Sequence, residues 1–166
     1  MAKKQGSQAL HLYKQNFKFS AAHFLIFDEK RAERLHGHNY QVQVDLVIPS
    51  ETELMNKGYF IDFKLFKDFI RQRLLQWNEH VLLPINHPDI KAKVEGLSLH
   101  VHFRDRYYVF PKNEVVLLQI TNTSVEQMSE ILANDFLYEF SKYGVEEVRV
   151  RVDETQGQGA STVVRS

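Results

Sequence analysis

The clearest pattern in the chain runs from Asn39 to Ile48, where Val42, Val44, Leu46 and Ile48 alternate with Gln41, Gln43 and Asp45. A period of two sends successive side chains to opposite faces, so this segment predicts a half-buried strand. Upstream, Leu10 to His23 interleaves aromatic and aliphatic residues with polar ones and predicts another strand. From Asp62 to Trp77 the period becomes helical: Phe66, Phe69, Ile70, Leu74 and Trp77 fall on one stripe. Asp62 suits the N-cap of that helix. After Pro84, Leu97, Leu99, Val101 and Phe103 alternate with Ser98, His100 and His102. Arg104 to Arg106 then turns the chain into Tyr107 to Phe110, which predicts a β-hairpin followed by a short strand from Val115 to Ile120. A second amphipathic helix is expected from Val125 to Tyr143, with Val125, Met128, Leu132, Phe136 and Phe140 inward and Gly144 as its C′ residue. Val148, Val150 and Val152 alternate with charged residues, and a last short strand spans Ser161 to Arg165. Strands, helix, hairpin, helix and strands in that order predict an α+β fold with an antiparallel sheet.

The chain has 166 residues with no internal repeat, low-complexity tract or Pro/Gly-rich linker, so one domain over residues 1–166 is expected. Its hydrophobic share of 43% and charged share of 25% are those of a globular protein. Lys plus Arg and Asp plus Glu balance at 21 each, and no basic stripe is visible. A nucleic-acid or anionic-membrane partner is therefore not expected. Apolar runs fall well short of the roughly 20 residues a membrane span needs. The N-terminus has two lysines but no apolar stretch of the kind that opens a secretory signal, which places the protein in the cytoplasm. The absence of cysteine changes the picture most: it excludes disulfides, thiolate metal sites and a cysteine nucleophile. Any metal site must use imidazole and carboxylate, which favours zinc or a similar borderline ion.

Such a site is suggested by His23, His36 and His38. Residues two apart on a strand share a face, so His36 and His38 can chelate one ion. Gly37 between them would let the backbone run close to the metal. If the two strands pair antiparallel, His23 can add a third nitrogen. Three neutral imidazoles leave a fourth position open, as in catalytic zinc sites. A second pair, His100 and His102, has the same spacing but no obvious third histidine, and is expected to be solvated surface. Spacing alone leaves both assignments open.

Phe19-Ser-Ala-Ala-His23 followed by Leu35-His36-Gly-His38-Asn-Tyr40 resembles the 6-pyruvoyltetrahydropterin synthase family, which includes the 6-carboxytetrahydropterin synthases. Glu79-His80-Val-Leu-Leu-Pro84, Ser124-Val-Glu-Gln127 and Val152-Asp-Glu-Thr155 follow in the family's order, over about 130 residues in all. The resemblance implies a T-fold, an antiparallel sheet with two helices packed on one face. This assembles as a homo-hexamer with active sites between subunits. It also marks a flexible tail over about residues 1–9 and an extra hairpin insertion over about residues 90–112. The implied activity is that of a zinc-dependent lyase acting on 7,8-dihydroneopterin triphosphate or a related reduced pterin. The implied product is a 6-pyruvoyl-, 6-carboxy- or 6-hydroxymethyl-pterin.

By the same resemblance His23, His36 and His38 hold Zn2+, and Glu79 and His80 form an acid–base pair in which the carboxylate orients the imidazole. Glu154 anchors the pterin ring with help from Thr155, and Ser124 and Glu126 contact substrate. The Ser124 region also reads as a helix capping box. The family's usual cysteine base is missing, with Ala32 and Lys30 in its place. Glu33 resembles the variant group in which a glutamate replaces it. Members of that group are associated with cleavage to 6-hydroxymethyl-dihydropterin. Two other readings stay open: a non-catalytic pterin- or metal-binding module that has lost its base, and a structural oligomer stapled by zinc.

Overall fold

The computed structural model describes residues 7–49 and 62–166. Its main sheet has seven strands: β1 (Ser7–Leu12), β2 (Lys18–His23), β3 (His36–Pro49), β4 (His80–Pro84), β8 (Val115–Leu118), β9 (Glu147–Thr155) and β10 (Gln158–Arg165). The order across it is β10-β9-β3-β2-β4-β8, with β1 also paired to β3. The segment expected as one strand from Leu10 to His23 is two strands, both antiparallel to the long β3. They separate because Tyr13, Lys14, Gln15 and Asn16 offer nothing to the core, and the chain turns there through a Phe17 N–H to Lys14 carbonyl bond of 3.0 Å. The tail expected over residues 1–9 lies outside the described residues up to residue 6, whereas Ser7 to Ala9 are paired in β1.

Helix α1 (Phe63–Leu75) starts where expected, with the Asp62 carboxylate accepting from the Lys64 N–H at 2.8 Å. Its stripe of Phe66, Ile70 and Leu74, continued by Trp77, is buried. Helix α2 (Val125–Phe140) buries Met128, Leu132, Phe136 and Phe140 completely. A short 3-10 turn over Ser141–Tyr143 carries it to Gly144, whose φ of 84° suits a residue without Cβ. Both helices cover the face of the sheet carrying Tyr40, Val42, Val44, Leu46, Val148, Val150 and Val152, which together form the main core. The architecture is α+β, two helices on one face of a sheet, as the resemblance implied.

The sheet is antiparallel from β10 to β2, but β4 runs parallel to both β2 and β8. Parallel neighbours need a crossover of a dozen or more residues. Here β3 and α1 supply one crossover and residues 85–114 the other. The second crossover is larger than the expected hairpin. It is a three-stranded antiparallel sheet of β5 (Ile90–Glu95), β6 (Ser98–Phe103) and β7 (Arg106–Pro111). β5 is hard to read from sequence because its polar positions are Lys91, Lys93 and Glu95 and only Ile90 is fully buried. This small sheet has its own core: Leu99, Val101 and Phe103 pack against Phe24, Ile26 and Leu83. Among the described residues, no helix is long and apolar enough to cross a membrane.

Candidate metal centre

Two strands deliver the expected imidazoles to one point, and a third adds a carboxylate. In the β2–β3 register His23 stands directly opposite His36, and Ala21 opposite His38. His36, His38 and Tyr40 share a face of β3, and Glu154, near the end of β9, projects to the same side. One ligand atom from each of His23, His36, His38 and Glu154 lies within 4.8 Å of the others, the one such group among the described residues. His36 Nε2 is 2.8 Å from His38 Nε2. Glu154 Oε1 is 3.1 Å from His23 Nε2 and 3.3 Å from His38 Nε2.

The hydrogen bonds decide which nitrogens are free. His23 Nδ1–H donates to the Thr123 carbonyl at 2.9 Å, and His36 Nδ1–H donates to the Arg34 carbonyl at 2.7 Å. A carbonyl can only accept, so both rings present Nε2 as a lone pair. His23 is 1% exposed, and its Nε2 has no hydrogen-bond donor. Burial pushes the His23 imidazole below its ordinary pKa and outweighs the Thr123 hydrogen bond and the Glu154 charge, so the ring is neutral. His38 Nε2–H can donate to the His36 lone pair, but the His23 Nε2 lone pair faces the Glu154 oxygen at 3.1 Å with no donor between them, a contact that a cation would relieve. Three imidazole nitrogens with one carboxylate oxygen suit a borderline divalent ion such as zinc.

Tyr40 forms the floor of the cluster, its ring 5.7 Å from that of His23 and 5.8 Å from that of His38. It is fully buried, and its hydroxyl has no hydrogen-bond partner. Burial first, then the charges of Glu154 and Glu33, drive its ionisation far above the ordinary phenol range. The alternation of His36, His38 and Tyr40 is the sequence signal that could have placed it here.

A cavity of about 390 Å³ opens beside His38 and is lined also by Ala21, Ala22, Gly37, Glu79 and His80. Ala21 lies in register between His38 on one side and His80 on the other. A Cβ on Gly37 would meet only the Ala21 carbonyl, at an ordinary 3.5 Å. Gly37 alternates with the two histidines, so its lack of a side chain keeps the cavity open rather than easing approach to the ion. His80 Nδ1–H donates to the Asn78 carbonyl at 2.7 Å, leaving Nε2 free. The orienting partner of His80 is thus the Asn78 carbonyl, not the expected Glu79 carboxylate. Glu79 adopts φ 61°, an unusual left-handed conformation for a side-chain-bearing residue, and its N–H donates to the Ser20 carbonyl at 2.6 Å.

Glu33 lies on the loop between β2 and β3. Its Oε2 accepts from the Leu25 N–H at 3.0 Å and stands 3.8 Å from His36 Nε2. Glu154, expected as a ring anchor, lies among the histidines. Thr155, the next residue on β9, is exposed and lines a separate cavity of about 490 Å³ with Asn39, Gln41 and Arg151. It therefore does not stand with Glu154. Ser124 caps α2 and Glu126 is exposed on its first turn; neither lines these two cavities. The segment just before them contributes more than expected. Thr123 orients His23 through its carbonyl, and its hydroxyl donates to the Phe24 carbonyl at 3.0 Å. The Asn122 side chain both accepts from and donates to the Ile26 backbone.

Comparison with known proteins places this geometry. A model of the family described as 6-pyruvoyl tetrahydropterin synthase matches residues 12–163. A curated protein of Methanocaldococcus jannaschii with the provisional name 6-carboxy-5,6,7,8-tetrahydropterin synthase is 26% identical over 146 residues, covering 86% of this chain and 87% of its own. The 6-pyruvoyl tetrahydropterin synthase of Plasmodium vivax is 26% identical with a TM-score of 0.86, over 97% of this chain and 99% of that one. That P. vivax enzyme has also been solved with a catalytic glutamate replaced by cysteine or alanine.

Proposed function

The chain belongs to the 6-pyruvoyl tetrahydropterin synthase family, and on that premise we propose that it is a zinc-dependent lyase acting on 7,8-dihydroneopterin triphosphate or a closely related reduced pterin. The observation that carries the proposal is a carboxylate beside the ligand atoms: Glu33 Oε2 lies 3.8 Å from His36 Nε2. His23, His36 and His38 hold the ion. When bound, it polarises the hydroxyls of the pterin side chain and acidifies the neighbouring C–H. Glu33 acts as the base, in the role the family usually gives to cysteine. For the hydroxymethyl product it takes the proton of the second side-chain hydroxyl, and the bond between the two hydroxyl-bearing carbons breaks. The triphosphate-bearing two-carbon end leaves as an aldehyde, and the carbon beside the ring is reprotonated. His80, its Nε2 free at the cavity, exchanges the second proton. Glu79 shapes the cavity edge. The catalytic glutamate of the P. vivax relative supports this use of Glu33. A glutamate base favours 6-hydroxymethyl-dihydropterin over the 6-pyruvoyl or 6-carboxy products.

Glu154 accepts the ring N–H and exocyclic amino group of the substrate, a charge-assisted pair of contacts. In the substrate-free chain it rests against His23 and His38, so seating the ring requires the carboxylate to turn away. Thr155, Ser124 and Glu126 serve substrate from a neighbouring subunit in a cytoplasmic homo-hexamer. The test is to incubate the zinc-loaded protein with 7,8-dihydroneopterin triphosphate and identify products by mass spectrometry, with Glu33→Ala in parallel. Formation of 6-hydroxymethyl-dihydropterin that disappears in the variant is the expected result. A pyruvoyl or carboxy product indifferent to the substitution would move the base elsewhere.

One observation favours a second reading. With Glu154 in contact, the centre offers four protein ligands, the number usual for a non-catalytic site. Tight pterin binding without turnover would select that reading.

A further inference from the structure

Residues 24–35, the loop that carries Glu33, have little regular structure of their own. Their strand pairing is a single bridge between Ile26 and Ala32. The Glu33 N–H donates to the Leu25 carbonyl at 2.8 Å, and the Leu25 N–H donates to the Glu33 carboxylate at 3.0 Å. Those two bonds stay within the loop, and Thr123 and Asn122 tie only its first residues, Phe24 and Ile26, to the rest of the molecule on one side. The β5–β6–β7 sheet lies against it. Phe24 and Ile26 are buried against Leu99, Val101 and Phe103, with Ala32 and Leu35 packed at the margin. Arg106, at the start of β7, donates from Nη1 to the Glu33 carbonyl and from Nη2 to the Ala32 carbonyl, the latter at 3.2 Å. Arg104 donates from Nη2 to the Asp28 carbonyl at 2.7 Å while its Nε is held by Asp89. Both guanidiniums lie over the Phe103 ring, at 4.8 and 5.5 Å.

We propose that the three-stranded sheet is a brace for the base-bearing loop, and that Arg106 is a positioning residue for Glu33. One rigid, planar guanidinium fork spans two successive carbonyls. It therefore fixes the peptide planes on both sides of the Glu33 Cα, and with them the direction in which the side chain leaves the backbone. Arg104 holds one carbonyl, that of Asp28, at the turn in the middle of the loop. Misplacement of a reacting group by about 1 Å can cost on the order of 100-fold in rate. The inference rests on the assignment of Glu33 as base, and the experiment separates the two.

The zinc-loaded protein is assayed for turnover of 7,8-dihydroneopterin triphosphate, with zinc content and amide hydrogen exchange measured on the same samples. Arg106→Ala is expected to lower kcat by roughly 10- to 100-fold, with KM and zinc content little changed. Faster exchange should be confined to the Leu25 and Glu33 amides. Arg106→Lys, which keeps the charge but not the fork, is expected to recover only part of the rate. Lys93→Ala, on the opposite face of the same sheet, should leave both readouts as they are. Because Arg106 acts through Glu33, adding Arg106→Ala to Glu33→Ala should slow the enzyme no further. Multiplying losses, or unchanged exchange at Leu25 and Glu33 in Arg106→Ala, would overturn the proposal. Full activity in Glu33→Ala would overturn the base assignment and Arg106's catalytic role with it, while the exchange data would still judge the brace.

Discussion

The chain contains the same three-residue pattern twice, and its two copies end in different surroundings. His36 and His38 sit on β3 with His23 directly opposite on β2 and Glu154 arriving from β9. Their neighbours are a neutral imidazole and a carboxylate. His100 and His102 sit on β6 with Lys93 and Lys91 opposite on β5, and Val109 and Tyr107 opposite on β7. There the His100 Nδ1 is bonded to the Tyr107 hydroxyl, the His102 ring packs on Tyr107 at 4.4 Å, and Glu95, 3.7 Å from His100 Nε2, is paired more closely with Lys93 at 2.8 Å. Spacing puts two rings on one face in both places. The residues that register brings alongside decide whether an ion would find two more ligands or two ammonium groups.

The largest expected effect tests that contrast directly. His36→Ala should reduce zinc affinity by more than about 100-fold, since removing a group that merely orients a ligand already costs about 10- to 100-fold. His102→Ala should leave zinc at one ion per chain by elemental analysis. Equal losses in the two variants would break the comparison. Metal removal gives the next effect. A ligand at 100 times its Kd stabilises the fold by about 2.7 kcal/mol. At about 2–4 °C per kcal/mol for a chain of this size, chelation should lower Tm by roughly 5–10 °C. The shift should persist in His102→Ala and vanish in His36→Ala. A sharper version builds the missing ligand. Lys93→His would place a third imidazole opposite His100 and remove a repelling charge. Zinc uptake should appear there, about 10- to 100-fold weaker than at the native centre, because no carbonyl fixes His102 as Thr123 fixes His23. Competition between the two sites for a cobalt probe would measure the ratio.

What was legible in the sequence follows the range of the signal. The alternation in β3, the stripes of both helices, the Asp62 cap and the His36–His38 pair depend on spacings of a few residues, and all appear as expected, while His23 joins that pair through the β2–β3 register. The parallel placement of β4 depends on which strand lies beside it after a crossover, which no local period encodes. Glu154 reaches the histidines because β9 pairs with β3 more than 100 residues away. Arg106 gave no signal at all, because its partners are backbone carbonyls 73 and 74 residues distant. Glu79 and Thr155 stand apart from the residues next to them in sequence for different reasons. Adjacency in sequence suggested joint action with His80 and Glu154, whereas the backbone turns or alternates between each pair.

The smallest expected effect closes the comparison from the other side. Replacing both His100 and His102 by alanine should change stability by no more than about 0.5 kcal/mol, the usual range for surface positions. The reason lies in what the substitutions leave in place. Tyr107 is 54% exposed, so its hydroxyl can exchange His100 for water. Glu95 keeps its pairing with Lys93, and the buried face of β6, with Leu99, Val101 and Phe103, is untouched. Urea denaturation of the metal-free proteins measures this without interference from the native centre. A loss above about 2 kcal/mol would mean that the pair, half-buried at His100 and exposed at His102, supports the brace.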